Sequence, residues 1–249
     1  MEEDKMQFLY GIHPVMEAVK AGRRFDKVLL KQGLEGQQFR ELYGLLGEKN
    51  IPYQFVPIDR LNRAVRGAHQ GVVAYISQID YVELEDMVNN ALAKTASPIL
   101  VILDGVSDVR NLGAIARTLE CVGGNGIIVP AKGGAAINAE AIKASAGALM
   151  RMDTCRVPNL RYAAYFLKQS EFRLVAATEK VDNYIYNVDL TGPIAVIMGS
   201  EGKGISSAML ELADVKAAIP MAGEIGSLNV SIAAAVMLYE AVRQRQEVK

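Results

Sequence analysis

Apolar and polar positions divide the chain into two stretches of different rhythm. Over residues 1–78 the segments are short and mixed. "GIHPVMEAVKAG" predicts a helix with Pro14 in its first turn and Gly22 at its end. "KVLLK" follows as a short strand, then a helical "GQQFRELYGLLGEKN" closed by Asn50 and Pro52. "PYQFVP", an arginine-bearing segment and "GVVAYISQ" complete a small α/β unit, the last suited to a strand by its β-branched and aromatic content. Residues 79–97 turn acidic and then polar and predict a helical linker, with Pro98 opening the next domain. Over 98–249 the rhythm changes to continuous apolar runs alternating with helical patterns. "PILVILDGV", "GIIVP", "RLVAAT" and "PIAVIMG" predict buried strands. "NLGAIARTLECVGG" places Leu112, Ile115, Leu119 and Val122 at helical spacing, "AEAIKASAGAL" is helical and rich in small residues, and "SLNVSIAAAVMLYEAVRQRQ" predicts a long closing helix. Continuous apolar strands alternating with helices predict an α/β fold with a parallel sheet covered on both faces.

Composition narrows the class. The chain has 249 residues, and with 51% of them apolar it can bury a substantial core. No apolar run reaches the roughly 18 residues of a membrane span, and the acidic start "MEEDKMQFLYG" does not read as a signal peptide. Cys121 and Cys155 are too few for a disulfide framework, and His13 and His69 leave little for a metal cluster. Cys121, in "ARTLECVGG", reads as a buried thiol on an apolar helix face. A cytoplasmic, metal-free protein is expected. The net charge of −1 argues against a chain wrapped in nucleic acid and leaves room for a local basic patch. Arg60, Arg63 and Arg66 recur every three residues, so on a helix they would project from one side, with His69 just beyond. A solvated helix face accounts for that spacing equally well.

The glycine-rich stretch "IMGSEGKGISS", at 197–207, invites a phosphate-loop reading and fails it. Ile197 stands where the first Walker glycine belongs, and Gly204 follows Lys203 in place of serine or threonine. "GKGISS" and "GNGIIV" both miss the last glycine of a dinucleotide fingerprint. Gly123 and Gly124 are better read as a helix C-cap. Three stretches then share one feature, polar residues at the carboxyl ends of apolar strands: "LDGVSDVRNLGAIARTLE", "IMGSEGKGIS" and "IPMAGEIGSLNVSIAAAV". Ligands of open α/β sheets bind at such ends, so the three could meet at one pocket. Asn111 and Ser227 both fit helix N-caps, with Asn229 a polar residue of the first turn. Arg117, among apolar and small neighbours, calls for a partner.

With these residues in view, the chain resembles the SpoU/TrmH-type RNA 2′-O-ribose methyltransferases of the SPOUT superfamily. Three motifs carry the resemblance in order: Asn111 to Arg117, Gly199–Ser200–Glu201–Gly202, and Ser227–Leu228–Asn229–Val230–Ser231. "YGIHPVMEAV" and "AHQGVVA" resemble the ribosomal-protein-like substrate-binding domain of one branch. The resemblance implies a C-terminal domain with a deep trefoil knot preceded by a small α/β RNA-binding domain. It implies S-adenosylmethionine as cofactor, held by Met198, Gly199, Gly202, Ile219 and Leu228. It implies Arg117, Asn111, Glu201, Ser227 and Asn229 as catalytic residues, and renewed weight for Arg60, Arg63, Arg66 and His69 as RNA contacts. Homodimers are implied as well. The type that methylates guanosine in 23S ribosomal RNA is the nearest in pattern. A transfer-RNA enzyme and a non-catalytic RNA-binding protein of the same fold are the rival expectations. A ribose 2′-hydroxyl target implies RNA, not DNA.

Overall fold

The computed structural model describes residues 8–247. The chain forms two compact units: one runs to Asp80 and takes in residues 137–139, and the other comprises Tyr81–Ala136 and the chain from Glu140 onward.

In the first unit, β1 (Phe8–Tyr10), β2 (Phe25–Lys31), β3 (Tyr53–Val56) and β4 (Val72–Ile76) form a four-stranded sheet in the order β1-β4-β2-β3. Alternation along β2 sends Val28 and Leu30 to one face and Leu29 to the other. On the first face α1 (Ile12–Lys20) and α2 (Gln37–Glu48) bury Val15, Val19, Leu42 and Leu46. On the second face the seven-residue α3 (Ile58–Ala64) packs Leu61 against Leu29, Val56 and Val73.

In the second unit, β5 (Tyr81–Val82), β6 (Ile99–Asp104), β7 (Gly126–Pro130), β8 (Asp153–Val157), β9 (Arg173–Ala177), β10 (Ile194–Gly199) and β11 (Val215–Ala217) form a parallel sheet. Their order is β11-β9-β10-β6-β7-β8-β5. Helices α4 (Leu84–Lys94), α5 (Val109–Cys121), α6 (Ala139–Ala144), α7 (Leu160–Gln169), α8 (Ser207–Leu212) and α9 (Val230–Glu247) accompany it. The first five residues of β6 and of β10 are all buried, as expected of strands covered on both faces. From β6 the order grows through β7 to β8 on one side and through β10 to β9 on the other. The β6/β10 seam is therefore the switch point at which ligands of open sheets bind. Asp104 and Gly199 pair in register at its carboxyl end.

Helix α5 buries Leu112, Ile115, Ala116 and Leu119, and it stops where the two glycines were read as a cap. Gly123 takes φ +73°, its N–H donates to the Glu120 carbonyl, and the Gly124 N–H donates to the Leu119 carbonyl. Helix α9 buries Ala234, Met237, Leu238 and Ala241. Its last turn is fastened by Arg245, whose guanidinium donates to the carbonyls of Ser97 (2.6 Å), Gly192 (2.8 Å) and Leu190 (3.0 Å).

Three expectations change. The segment read as a linker carries β5, which pairs with β8, and α4, whose Leu84, Met87, Val88 and Ala91 belong to the core of the second unit. Cys121 is exposed, because it closes α5 on the side away from Leu112, Ile115 and Leu119. The closing helix begins at Val230, leaving Ser227, Leu228 and Asn229 in the preceding loop.

Candidate active site

Residues 200–204 fold back sharply after β10. The Ser200 N–H donates to the Gly204 carbonyl (3.1 Å), and the Gly204 N–H donates to the Ser200 carbonyl (2.9 Å). This reversal passes so close to Gly199 that a Cβ there would lie 2.3 Å from both the Gly204 carbonyl carbon and the Ile205 nitrogen. Only glycine fits. Gly202 is required for a different reason, its left-handed φ of +88°. Past the turn, the Ser206 N–H donates to Asp104 Oδ2 (2.7 Å), tying the loop to the end of β6.

The turn offers Glu201 to two amides that lie far away in sequence. Glu201 Oε1 accepts from Asn111 Nδ2 (2.9 Å) and from Asn229 Nδ2 (2.7 Å). Asn229 Nδ2 also donates to Asn111 Oδ1 (3.1 Å). One residue from each of the three sequence motifs thus joins a single hydrogen-bonded cluster. The helix starts explain how the amides are freed for it. Asp108, not Asn111, caps α5, its Oδ1 accepting from the N–H groups of Arg110 (2.8 Å) and Asn111 (2.9 Å). Asn229, not Ser227, caps α9, its Oδ1 accepting from the Ser231 N–H and Oγ.

A cavity of about 380 Å³ opens over the carboxyl ends of β9, β10 and β11, within the range of roughly 300–1,000 Å³ typical of small-molecule sites. Met198, Gly199, Gly202, Ile219 and Leu228 all line it, as do Glu201, Ser227 and Asn229. Asn111 reaches this group through its bonds to Glu201 and Asn229. Thr178 and Glu179, just past β9, also line the wall, and sequence reading missed them. They belong to no motif; their only signal was a position at the end of the "RLVAAT" strand. The lining includes two carboxylates, Glu179 and Glu201, and no lysine, arginine or histidine. Such a cavity repels phosphate and accommodates a cation.

Arg117 stands apart from the cavity lining. It lies six residues beyond Asn111 on α5, so at 3.6 residues per turn the two side chains leave the helix about 120° apart. It is exposed, and among the described residues no carboxylate pairs with it. The internal partner expected from sequence is replaced by solvent. In the first unit, Arg60 and Arg63 are exposed on α3, but the helix ends at Ala64 and Val65 is extended (φ −142°). Arg66 therefore does not continue their helical face, although it too is exposed. His69 is buried, at 7% exposure. Its Nδ1 accepts from the Gly71 N–H (3.0 Å), so the ring proton sits on Nε2 and donates to Asn62 Oδ1 (2.9 Å). Both nitrogens are committed to framing the loop, which leaves His69 no free group for an RNA. Among the described residues no group of three or more His, Cys, Asp or Glu could hold a metal ion, and no helix is long and apolar enough to cross a membrane.

Fold and site together define a parallel α/β protein whose ligand cavity, at the strand ends beside the switch point, suits a small molecule without phosphate. Comparison with known proteins makes the class specific. The profile of the SpoU rRNA Methylase family matches residues 98–239, and that for RNA 2′-O ribose methyltransferase substrate binding matches residues 8–82. YacO of Bacillus subtilis, named for the TrmH family of tRNA/rRNA methyltransferases, is 34% identical over 241 residues, covering 97% of each chain. The solved SpoU methyltransferase AviRb from Streptomyces viridochromogenes aligns over 97% of this chain and 90% of its own, with 26% identity and a TM-score of 0.63. AviRb has also been solved in complex with AdoMet, a structure to which this chain is 25% identical with a TM-score of 0.61 over 96% of this chain and 90% of the other. A TrmH/SpoU tRNA modifying enzyme of A. aeolicus is 32% identical, with a TM-score of 0.57 over 66% of this chain and 83% of its own. The chain belongs to the SpoU rRNA methylase family: it is an RNA 2′-O-methyltransferase with S-adenosylmethionine as methyl donor.

Proposed function

We propose that the chain methylates the ribose 2′-hydroxyl of a guanosine in 23S ribosomal RNA, acting as a cytoplasmic homodimer whose C-terminal sheet is threaded as a deep trefoil knot. The observation that carries the reading is the cavity. Residues named from motif resemblance line one concave space, and that space contains carboxylates and no cationic side chain.

S-adenosylmethionine, when bound, supplies a methyl group on a positively charged sulfonium. Met198, Ile219 and Leu228 would hold its apolar surface, the backbone around Gly199 and Gly202 would come close to it, and Glu179 and Glu201 would supply the compensating negative charge. Asn111 and Asn229 keep Glu201 in place, and Ser227 has a hydroxyl to offer the same space. The Arg117 guanidinium offers N–H donors and no acceptor. It therefore serves as a clamp, gripping an RNA phosphate and steadying the negative charge that develops on the ribose oxygen, while the hydroxyl proton passes to solvent water. Its exposure suits that task.

Ribosomal RNA is favoured by the first unit, which matches a substrate-binding profile, whereas the A. aeolicus tRNA enzyme aligns with only 66% of this chain. The exposed arginines Arg60, Arg63 and Arg66 give that unit phosphate contacts. The homodimer is supported by α9: its inner residues pack in the core, while Ile232 and Tyr239 are 53% and 54% exposed on its outer side.

The test is methyl transfer from tritiated S-adenosylmethionine to unmodified 23S ribosomal RNA, beside transfer RNA and the Arg117→Ala variant. Alkali-resistant label in the ribosomal RNA, lost with Arg117→Ala while the melting temperature holds, is the expected result. Label confined to transfer RNA would overturn the substrate, and label that survives Arg117→Ala would overturn the clamp.

A further inference from the structure

Helices α1 and α2 cover one face of the four-stranded sheet in the first unit, but α3 covers the other only in part. The apolar cluster under α3 draws Leu29 from β2, Val56 from β3 and Val73 from β4, and nothing from β1. The register sets a row across three strands of this face: Phe8 on β1 pairs with Tyr75 on β4, half-buried against the cluster under α3, and Tyr75 pairs with Lys27 on β2. Tyr10 stands two residues from Phe8 on the same face, with the two ring centroids 6.3 Å apart. Phe8 and Tyr10 are 39% and 40% exposed, although both are large aromatic side chains on a sheet. The Tyr10 ring rests against Gly67, where a Cβ would lie 3.2 Å from it, so the segment carrying Arg66 borders the ring.

Positive charge frames these rings. Lys27 Nζ lies 4.9 Å from the Tyr75 ring centroid. Burial, and then the nearby Arg60, push the Lys27 amine below its ordinary value, while Asp26 opposes this more weakly. Cationic side chains beside the exposed rings of Phe8 and Tyr10 make a surface suited to nucleotides, whose bases stack and whose phosphates neutralise the charge.

We propose that this open sheet face, formed by Phe8 and Tyr10 with Tyr75 half-buried at its inner edge and Lys27 and Arg60 beside it, is a base-stacking platform for a single-stranded segment of the RNA substrate. The proposal rests on the reading of the chain as an RNA methyltransferase and adds what the first unit recognises: unpaired bases, through their faces, in place of a duplex backbone alone. Because every base has a π-face, the platform holds the strand with little preference for sequence.

Binding of a short fluorescein-labelled single-stranded RNA to the full-length chain tests it, read by anisotropy beside a duplex of the same sequence. Stacking on an aromatic side chain is worth enough that Phe8→Leu and Tyr10→Leu should each weaken single-strand binding about tenfold. The aromatic exchanges Phe8→Tyr and Tyr10→Phe should retain it, and affinity for S-adenosylmethionine should not move. Photocrosslinking of a 5-iodouridine-bearing single strand to the unaltered chain gives a second readout that no folding defect can blur, with adducts expected at Phe8, Tyr10 or Tyr75. Leucine variants that bind as tightly as the unaltered chain, or crosslinks only elsewhere, would overturn the platform while methyl transfer to RNA still stood. If the unaltered chain neither binds nor methylates any RNA, the functional reading falls with it.

Discussion

Gly199→Ala probes the turn that walls the cavity. The added Cβ would sit 2.3 Å from two backbone atoms of the returning strand, against 3.0 Å as the closest approach real Cβ atoms make, so the loop must retreat by about 0.7 Å. Keeping the loop in place means overpacking backbone against backbone, at about 1–3 kcal/mol or more. Opening the turn instead gives up the paired Ser200 and Gly204 hydrogen bonds, at about 1 kcal/mol each. The second route limits the loss to about 2 kcal/mol, which leaves the fold intact. In a chain of this size it lowers the melting temperature by about 4–8 °C. Function suffers more, because Glu201 and the Gly199–Gly204 backbone form one wall of the cavity. Calorimetric titration with S-adenosylmethionine should show affinity reduced at least about tenfold, a difference of about 1.4 kcal/mol. Gly123→Ala, at the end of α5 and outside the cavity, is the control. Nothing lies within 4 Å of a Cβ there, so it pays only for its φ of +73°, about 1–2 kcal/mol, and both turn bonds stay in place. Comparable stability losses with cofactor binding lost only in Gly199→Ala are expected. Unchanged cofactor affinity in Gly199→Ala would falsify the argument that close backbone approach builds the site.

Other consequences follow from single contacts. Asp108→Ala removes the acceptor for two N–H groups at the start of α5 and should cost about 1 kcal/mol, seen as a melting temperature about 2–4 °C lower. Burial pushes the Cys155 thiol up to about 12, whereas Cys121 is exposed, so a thiol reagent at pH 8 should label one cysteine of the folded chain and two after denaturation. The Arg243 guanidinium, then Gln244, hold the nearly buried Glu240 carboxyl below the usual carboxylate range, with burial opposing. Its folded pKa is depressed, so the stabilisation is present above the ordinary value of about 4.3 and is lost as pH falls through the lower folded value. Urea midpoints of the unaltered chain and Glu240→Gln should therefore differ at pH 7 and converge in acid.

Much of this molecule was legible in its letters. Continuous apolar runs such as "PIAVIMG" must be buried on both faces wherever they occur, so the parallel sheet needed no partner to be recognised. The cap at Gly123 and Gly124 was equally readable, since a left-handed residue after the last helical turn is a local demand. Short elements escaped. The three residues of β1 and of β11 carry too little pattern to mark a strand, and β5 and α4 look like a linker until β8 and the core supply what they pack against. Polar side chains were misjudged for a related reason. Asn111 and Ser227 are good cap residues, but Asp108 and Asn229 occupy the caps, and a helix start accepts whichever side chain the backbone presents. His69 sits beside arginines in sequence yet faces inward, because Asn62 and Gly71 satisfy both of its nitrogens.

Local physics, written residue by residue, set the elements, the glycine turn and the three motifs, because periodicity, φ requirements and capping act within a few residues. Folding alone could bring Asn111, Glu201 and Asn229 within hydrogen-bond reach, as they lie 90, 28 and 118 residues apart in pairs. The same holds for Thr178 and Glu179 in the cavity wall and for the row of Phe8, Tyr75 and Lys27. Such neighbours are set by strand order and register, and those depend on how whole layers bury their apolar faces, which no short stretch of sequence contains.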